Sequence, residues 1–109
     1  MRLRGHRLAE ERSLELHREI ARRLLVDPRV LAAARERVGQ WCSTGSVAPH
    51  YAQGWRQLLA EPPEEIVRRI TDPSEEARAL RQVTPFAGLI APRERWRIWR
   101  EVAAREAEP

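Results

Sequence analysis

Apolar residues recur at three- and four-residue spacing along most of the chain, and alternation of period two is missing at any useful length, so the pattern predicts helices without a sheet. Leu16, Ile20 and Leu24, with His17, Ala21 and Leu25 on the adjoining stripe, predict a first helix from about Leu8 or Ser13 to Val26. Val30, Leu31, Ala34, Val38 and Trp41 share one side of a second helix, from Pro28 to about Trp41, which should fold back on the first as a hairpin. Tyr51, Trp55, Leu58 and Leu59 mark a third, near Pro49 to Leu59, in which Gly54 costs about 1 kcal/mol relative to Ala. Ile66, Val67 and Ile70 mark a short fourth helix after Pro62-Pro63, with Glu64–Arg68 and Glu65–Arg69 as i,i+4 pairs.

The breaks are as legible as the stripes. Asp27-Pro28 reads as an N-cap followed by a first helical residue, because aspartate accepts from an orphan N–H and proline has none to lose. Asp72-Pro73-Ser74-Glu75 repeats that logic with Glu75 at the capping-box position and starts a fifth helix through about Gln82. Cys42-Ser43-Thr44-Gly45-Ser46 is small and polar, the clearest loop. Thr84 to Pro92 cannot be helical throughout, since Pro85 and Pro92 each lack an N–H and push the preceding residue toward extended geometry. A last helix, Arg93 to Ala107, follows. Together these predict an all-α fold: a compact bundle of five or six short helices with a Pro-bounded apolar loop before the last one.

At 109 residues the chain should form one helical domain over residues 1–109, with 1–7 expected as a flexible start. All 20 basic side chains are Arg, with no Lys and no Asn, a bias that a GC-rich bacterial genome writes without any functional demand. The net charge of +4 is mild for a nucleic-acid binder. The longest apolar stretches, Val30 to Ala34 and Ala87 to Ala91, fall far short of the roughly 20 residues of a membrane span. Met1 to Arg7 is basic like the start of a signal peptide, but Leu8-Ala9-Glu10-Glu11-Arg12 stands where an apolar core should. A cytoplasmic location is the expectation, and the lone Cys42 agrees with a reducing compartment.

Candidate chemistry is thin. His6, His17, His50 and Cys42 show no metal-binding spacing, so neither a metal nor a cofactor is expected. His17 reads as a boundary residue with a satisfied ring nitrogen, and His50 beside Tyr51 as helix-start chemistry. Cys42-Ser43-Thr44 offers nucleophile types without an identifiable base, and the glycines form no phosphate-binding loop. No catalytic residues are expected. In the last helix Arg93, Arg95, Arg97 and Arg100 interleave with Trp96 and Trp99, a combination seen on nucleic-acid surfaces. At 100° per residue Trp96, Trp99 and Val102 or Ala103 share a side, so the Trp pair is expected in the core and Arg93, Arg97 and Arg100 in solvent. Phe86, Leu89 and Ile90 sit in the loop with Arg81-Gln82 before it and Arg93-Glu94-Arg95 after it, the layout of an apolar centre with a charged rim.

Three motifs carry a family resemblance. They are Leu14-x-Leu16-His17-x-x-Ile20-Ala21-x-x-Leu24, Trp55-x-x-Leu58-Leu59, and Ala77-Arg78-x-Leu80-Arg81-Gln82-x-x-Pro85-Phe86-Ala87-Gly88-Leu89 followed by Pro92-x-x-Arg95-Trp96. In these the chain resembles a family of small all-helical bacterial antitoxin-like proteins encoded beside a toxin gene, often one of nucleotidyltransferase type. Only the last motif is specific, and Val83-Thr84 stands where the family has a serine-rich pair before Pro85. The resemblance implies a non-enzymatic protein that binds a cognate toxin and blocks its active site. The contacts it implies are Arg81, Gln82, Pro85, Phe86, Gly88, Arg95 and Trp96.

The competing reading is a small DNA-binding transcriptional regulator that uses the Arg-rich last helix, although no helix-turn-helix is legible. A small enzyme is disfavoured, since the His and Cys positions do not cluster in sequence. The Trp content also permits a homo-oligomer through the surface assigned to the toxin.

Overall fold

Prolines open four of the helices. The computed structural model describes residues 2–107, without the side chains of residues 2–4 and 6, so that His6 lies outside the described side chains. Among the described residues the chain runs α1 (Arg2–Leu24), α2 (Pro28–Thr44), α3 (Pro49–Leu59), α4 (Pro63–Ile70), α5 (Glu75–Gln82) and α6 (Pro92–Ala107), with no strand. Pro28, Pro49, Pro63 and Pro92 each take the first helical position, where an N–H would have no intrahelical acceptor. Asp27 caps α2 by accepting from the Arg29 N–H at 3.0 Å. Gly45 ends α2 at φ 68°, a left-handed conformation in which glycine suffers no Cβ clash.

Several boundaries differ from expectation for physical reasons. α1 begins at Arg2, before the expected start at Leu8 or Ser13, and it stops two residues before Val26. Cys42, Ser43 and Thr44 belong to α2, where the Ser43 and Thr44 hydroxyls donate back to the Gly39 and Gln40 carbonyls instead of breaking the helix. Ser74, not Asp72, caps α5: its hydroxyl accepts from the Ala77 N–H at 3.2 Å, while Asp72 accepts from the Ser74 N–H at 2.9 Å. That shift removes Glu75 from the capping-box position. On α4, Arg68 pairs with Glu65 one turn back rather than with Glu64, its Nε and Nη2 donating to the two oxygens of that carboxylate.

α1 is the hub. It packs against α2, α4, α5 and α6, whereas among the described residues α6 packs on no helix but α1. The core gathers Ile20 and Leu24 from α1, Leu31, Ala34 and Val38 from α2, Trp55, Leu58 and Leu59 from α3, and Ile66 and Ile70 from α4. At Gly54 an added Cβ would lie 3.1 Å from Leu80 Cδ2, so the absent side chain lets α5 close on α3. Trp55 Nε1 donates to the Leu80 carbonyl at 3.0 Å across the same contact.

α6 meets α1 through Ile98 and Val102, both buried. The expected Trp stripe does not face the core: Trp96 is 66% exposed and Trp99 half-buried. The two stripes lie close together on the helix, and with only α1 to pack against, the narrower aliphatic one fits the contact. Ion pairs flank it, Arg105 to Glu11 and Glu15, each at 3.4 Å, and Arg23 to Glu94. No described helix is long and apolar enough to cross a membrane.

Candidate functional site

The loop between α5 and α6 turns inward. Pro85, Phe86 and Ile90 are buried, and Phe86, with no exposed surface, meets Trp55 edge-on at 5.8 Å between ring centroids and His17 at 6.2 Å. Arg37 of α2 donates to the Pro85 carbonyl at 3.1 Å and to the Ala87 carbonyl, holding the outer side of the turn. Gly88 sits at φ 86°, where a side chain would be strained, and it faces solvent.

A relay of hydrogen bonds ties this loop to α1. The Phe86 N–H donates to Thr84 Oγ1 at 3.1 Å, the Thr84 hydroxyl lies 2.9 Å from His17 Nε2, and His17 Nδ1 lies 2.7 Å from the Ser13 carbonyl. A carbonyl only accepts, so Nδ1 carries the proton, Nε2 is the acceptor and Thr84 donates to it. His17 is fully buried, not at a boundary as expected, and the ring is neutral: burial pushes its pKa from 6.5 down to about 4, the Ser13 bond opposing and the Arg81 charge adding. A serine at position 84 would supply the same hydroxyl.

These facts divide the expected contact residues. Arg81 is 4% exposed, and its guanidinium donates to the Ile70 carbonyl at 3.1 Å and the Asp72 carbonyl at 2.7 Å, capping the end of α4. Arg81, Pro85 and Phe86 therefore brace the loop from within and offer no contact surface. Gln82, Gly88, Arg95 and Trp96 are exposed. Arg93, Arg97 and Arg100 are exposed as expected, and Arg97 reaches Glu101 at 3.1 Å.

Gln82 also borders a groove between α1, the end of α5 and α6. Ala9, Arg12 and Leu16 line its α1 side and Trp99 its α6 side, with His17 and Thr84 beneath, around a volume of about 360 Å³. The Arg12 guanidinium lies 5.8 Å from the Trp99 ring centroid, and its Nε is buried without an acceptor. Neither Arg12 nor Trp99 is singled out by the sequence as a site residue, because an arginine in a charged helix and a tryptophan on an apparent core stripe carry no such signal. Thr84 and Arg37 were equally silent, since their partners lie 67 and 48 residues away.

The other candidates are dispersed. Cys42 is exposed on α2, His50 stacks on Tyr51 at 4.0 Å at the start of α3, and no three metal-binding side chains lie together among the described residues. Compared with protein-family models, curated proteins and solved structures, the chain matches none.

Proposed function

We propose that the protein is an antitoxin-like interaction protein, without enzymatic activity, that binds a cognate bacterial toxin and blocks its active site. The observation that carries this reading is the exposure of Trp96, a large indole held 66% in solvent beside Arg95 on a helix that packs against a single neighbour. Indole and guanidinium groups supply a disproportionate share of the affinity at protein interfaces. The buried loop supports it too, because a rigidly braced turn presents Gln82 and Gly88 with little entropy left to lose on binding. His17, which lines the groove beside Gln82, uses both ring nitrogens internally and has none to give to proton transfer.

The test is co-expression with the product of the adjacent gene. A stable complex is expected, weakened about tenfold or more by Trp96→Ala and by Arg95→Ala. Absence of a complex, or unchanged affinity in both variants, overturns the reading. A second reading, a DNA-binding regulator, draws on Arg93 and Arg100, which are exposed and carry no ion pair among the described residues. It requires a mobility shift with duplex DNA at low ionic strength that fades steeply with salt.

A further inference from the structure

The groove beside Gln82 does not end at α1. A second hollow of about 290 Å³ shares Ala9, Ser13, Arg81 and Gln82 with it and continues to Glu10 and Arg78. The two form one trough along α1, between it and α5 and α6. We infer that this trough takes a segment of a partner protein in which an apolar side chain stands next to a carboxylate. The inference rests on the interaction-protein reading and narrows it to the partner's chemistry.

Two properties of the trough define that occupant. Leu16 and the open flank of Trp99 give it an apolar wall able to cover one side chain. Its charge is one-sided: Arg12 and Arg78 line it, with Arg81 buried beneath, against the one carboxylate among its described lining residues, Glu10. Arg81 is committed to two carbonyls, and Arg78 reaches Glu10 only at 3.8 Å.

Arg12 is the least satisfied of the three. It makes no hydrogen bond or ion pair with another described residue, and it lies over Trp99 with Nε buried. A carboxylate arriving from solvent offers this guanidinium a charged acceptor, and the ring beneath restricts its motion and keeps water from one face. A nucleic-acid backbone fits less well, since it carries no apolar group for the Trp99 wall.

The full-length protein, immobilised, would be panned against short random peptides displayed on phage. Enrichment of sequences with Asp or Glu beside Leu, Phe or Trp is expected. The best peptide, synthesised with a fluorophore, should bind about tenfold more weakly to Ala9→Trp, which fills the trough from an exposed helical position, and to Arg12→Gln. Ala32→Trp, an equally exposed change on α2, should leave binding unchanged. No enrichment, enrichment without acids, equal binding by Ala9→Trp, or displacement by a single-stranded oligonucleotide would each overturn the proposal. If the adjacent gene product binds Ala9→Trp and the unaltered protein alike, the trough assignment fails and the toxin reading stands. If acidic peptides bind the trough but that product does not bind the protein, the toxin reading fails and the trough stands.

Discussion

His17 joins the core to the loop through a neutral ring, and that makes it a source of pH dependence. Its pKa is depressed to about 4 from 6.5, so between those values the unfolded chain takes up a proton that the folded one refuses. Stability is full above the upper value and falls as pH drops through the window, by an amount on the order of 3 kcal/mol. Protonation at Nε2 also sets two donors, the ring N–H and the Thr84 hydroxyl, against each other. Urea unfolding at about pH 7 and about pH 4.5 should show this loss, and His17→Gln should flatten it. Glu19, held below 4.5 by its hydrogen bond from Arg22, adds its own loss of stability only once the pH falls below 4.5, so the range from there up to 6.5 reports on His17. Phe86→Ala removes a ring enclosed by Trp55 and His17 and should cost about 3–5 kcal/mol in thermal or urea unfolding. Part of this was legible beforehand: His17 stood beside the apolar stripe and Phe86 in an apolar loop. Their meeting was not, because hydrophobicity states that a residue wants burial without naming the partner that buries it.

Helix positions were read well wherever a side chain or ring acts on its own backbone. Asp27-Pro28, Pro49 and Pro62-Pro63 announce three starts through local chemistry alone, and α2, α3 and α4 begin where they say. Ends set by neighbours were read less well, as the extra turns of α1 before Leu8 illustrate. α6 shows the limit most clearly, since two stripes on one helix satisfy the same periodicity and only the position of α1 chooses between them. Packing on one neighbour through Ile98 and Val102, with ion pairs worth little each in solvent, should make α6 the most weakly docked helix. Hydrogen exchange is expected to be faster in α6 than in α2 to α4, and Ile98→Ala to widen the gap while shifting Trp99 emission to the red. Equal protection of α6 and α2 would contradict this.

At the scale of the whole molecule, α1 carries both the architecture and the candidate site, because the trough is cut between it and the two elements that cover it last in sequence. The fold class and the number of helices were readable from the polar pattern alone. The inward turn of the loop was not, because it depends on Arg37, Thr84 and His17 arriving from three separate places in the chain. The pairing of α1 with α6 has a topological consequence of its own. Arg7 Nε lies 2.8 Å from Glu106 Oε1, so the first and last helices run side by side and the chain path almost closes on itself. A circular permutant that joins the end of α6 to the start of α1 through a short flexible linker, and opens the chain between Gly45 and Ala48, should keep the native far-ultraviolet spectrum. It would also turn the most distant helix pair into neighbours along the chain while sending α2 and α3, which pack as extensively, to opposite ends, so refolding should keep about the original rate.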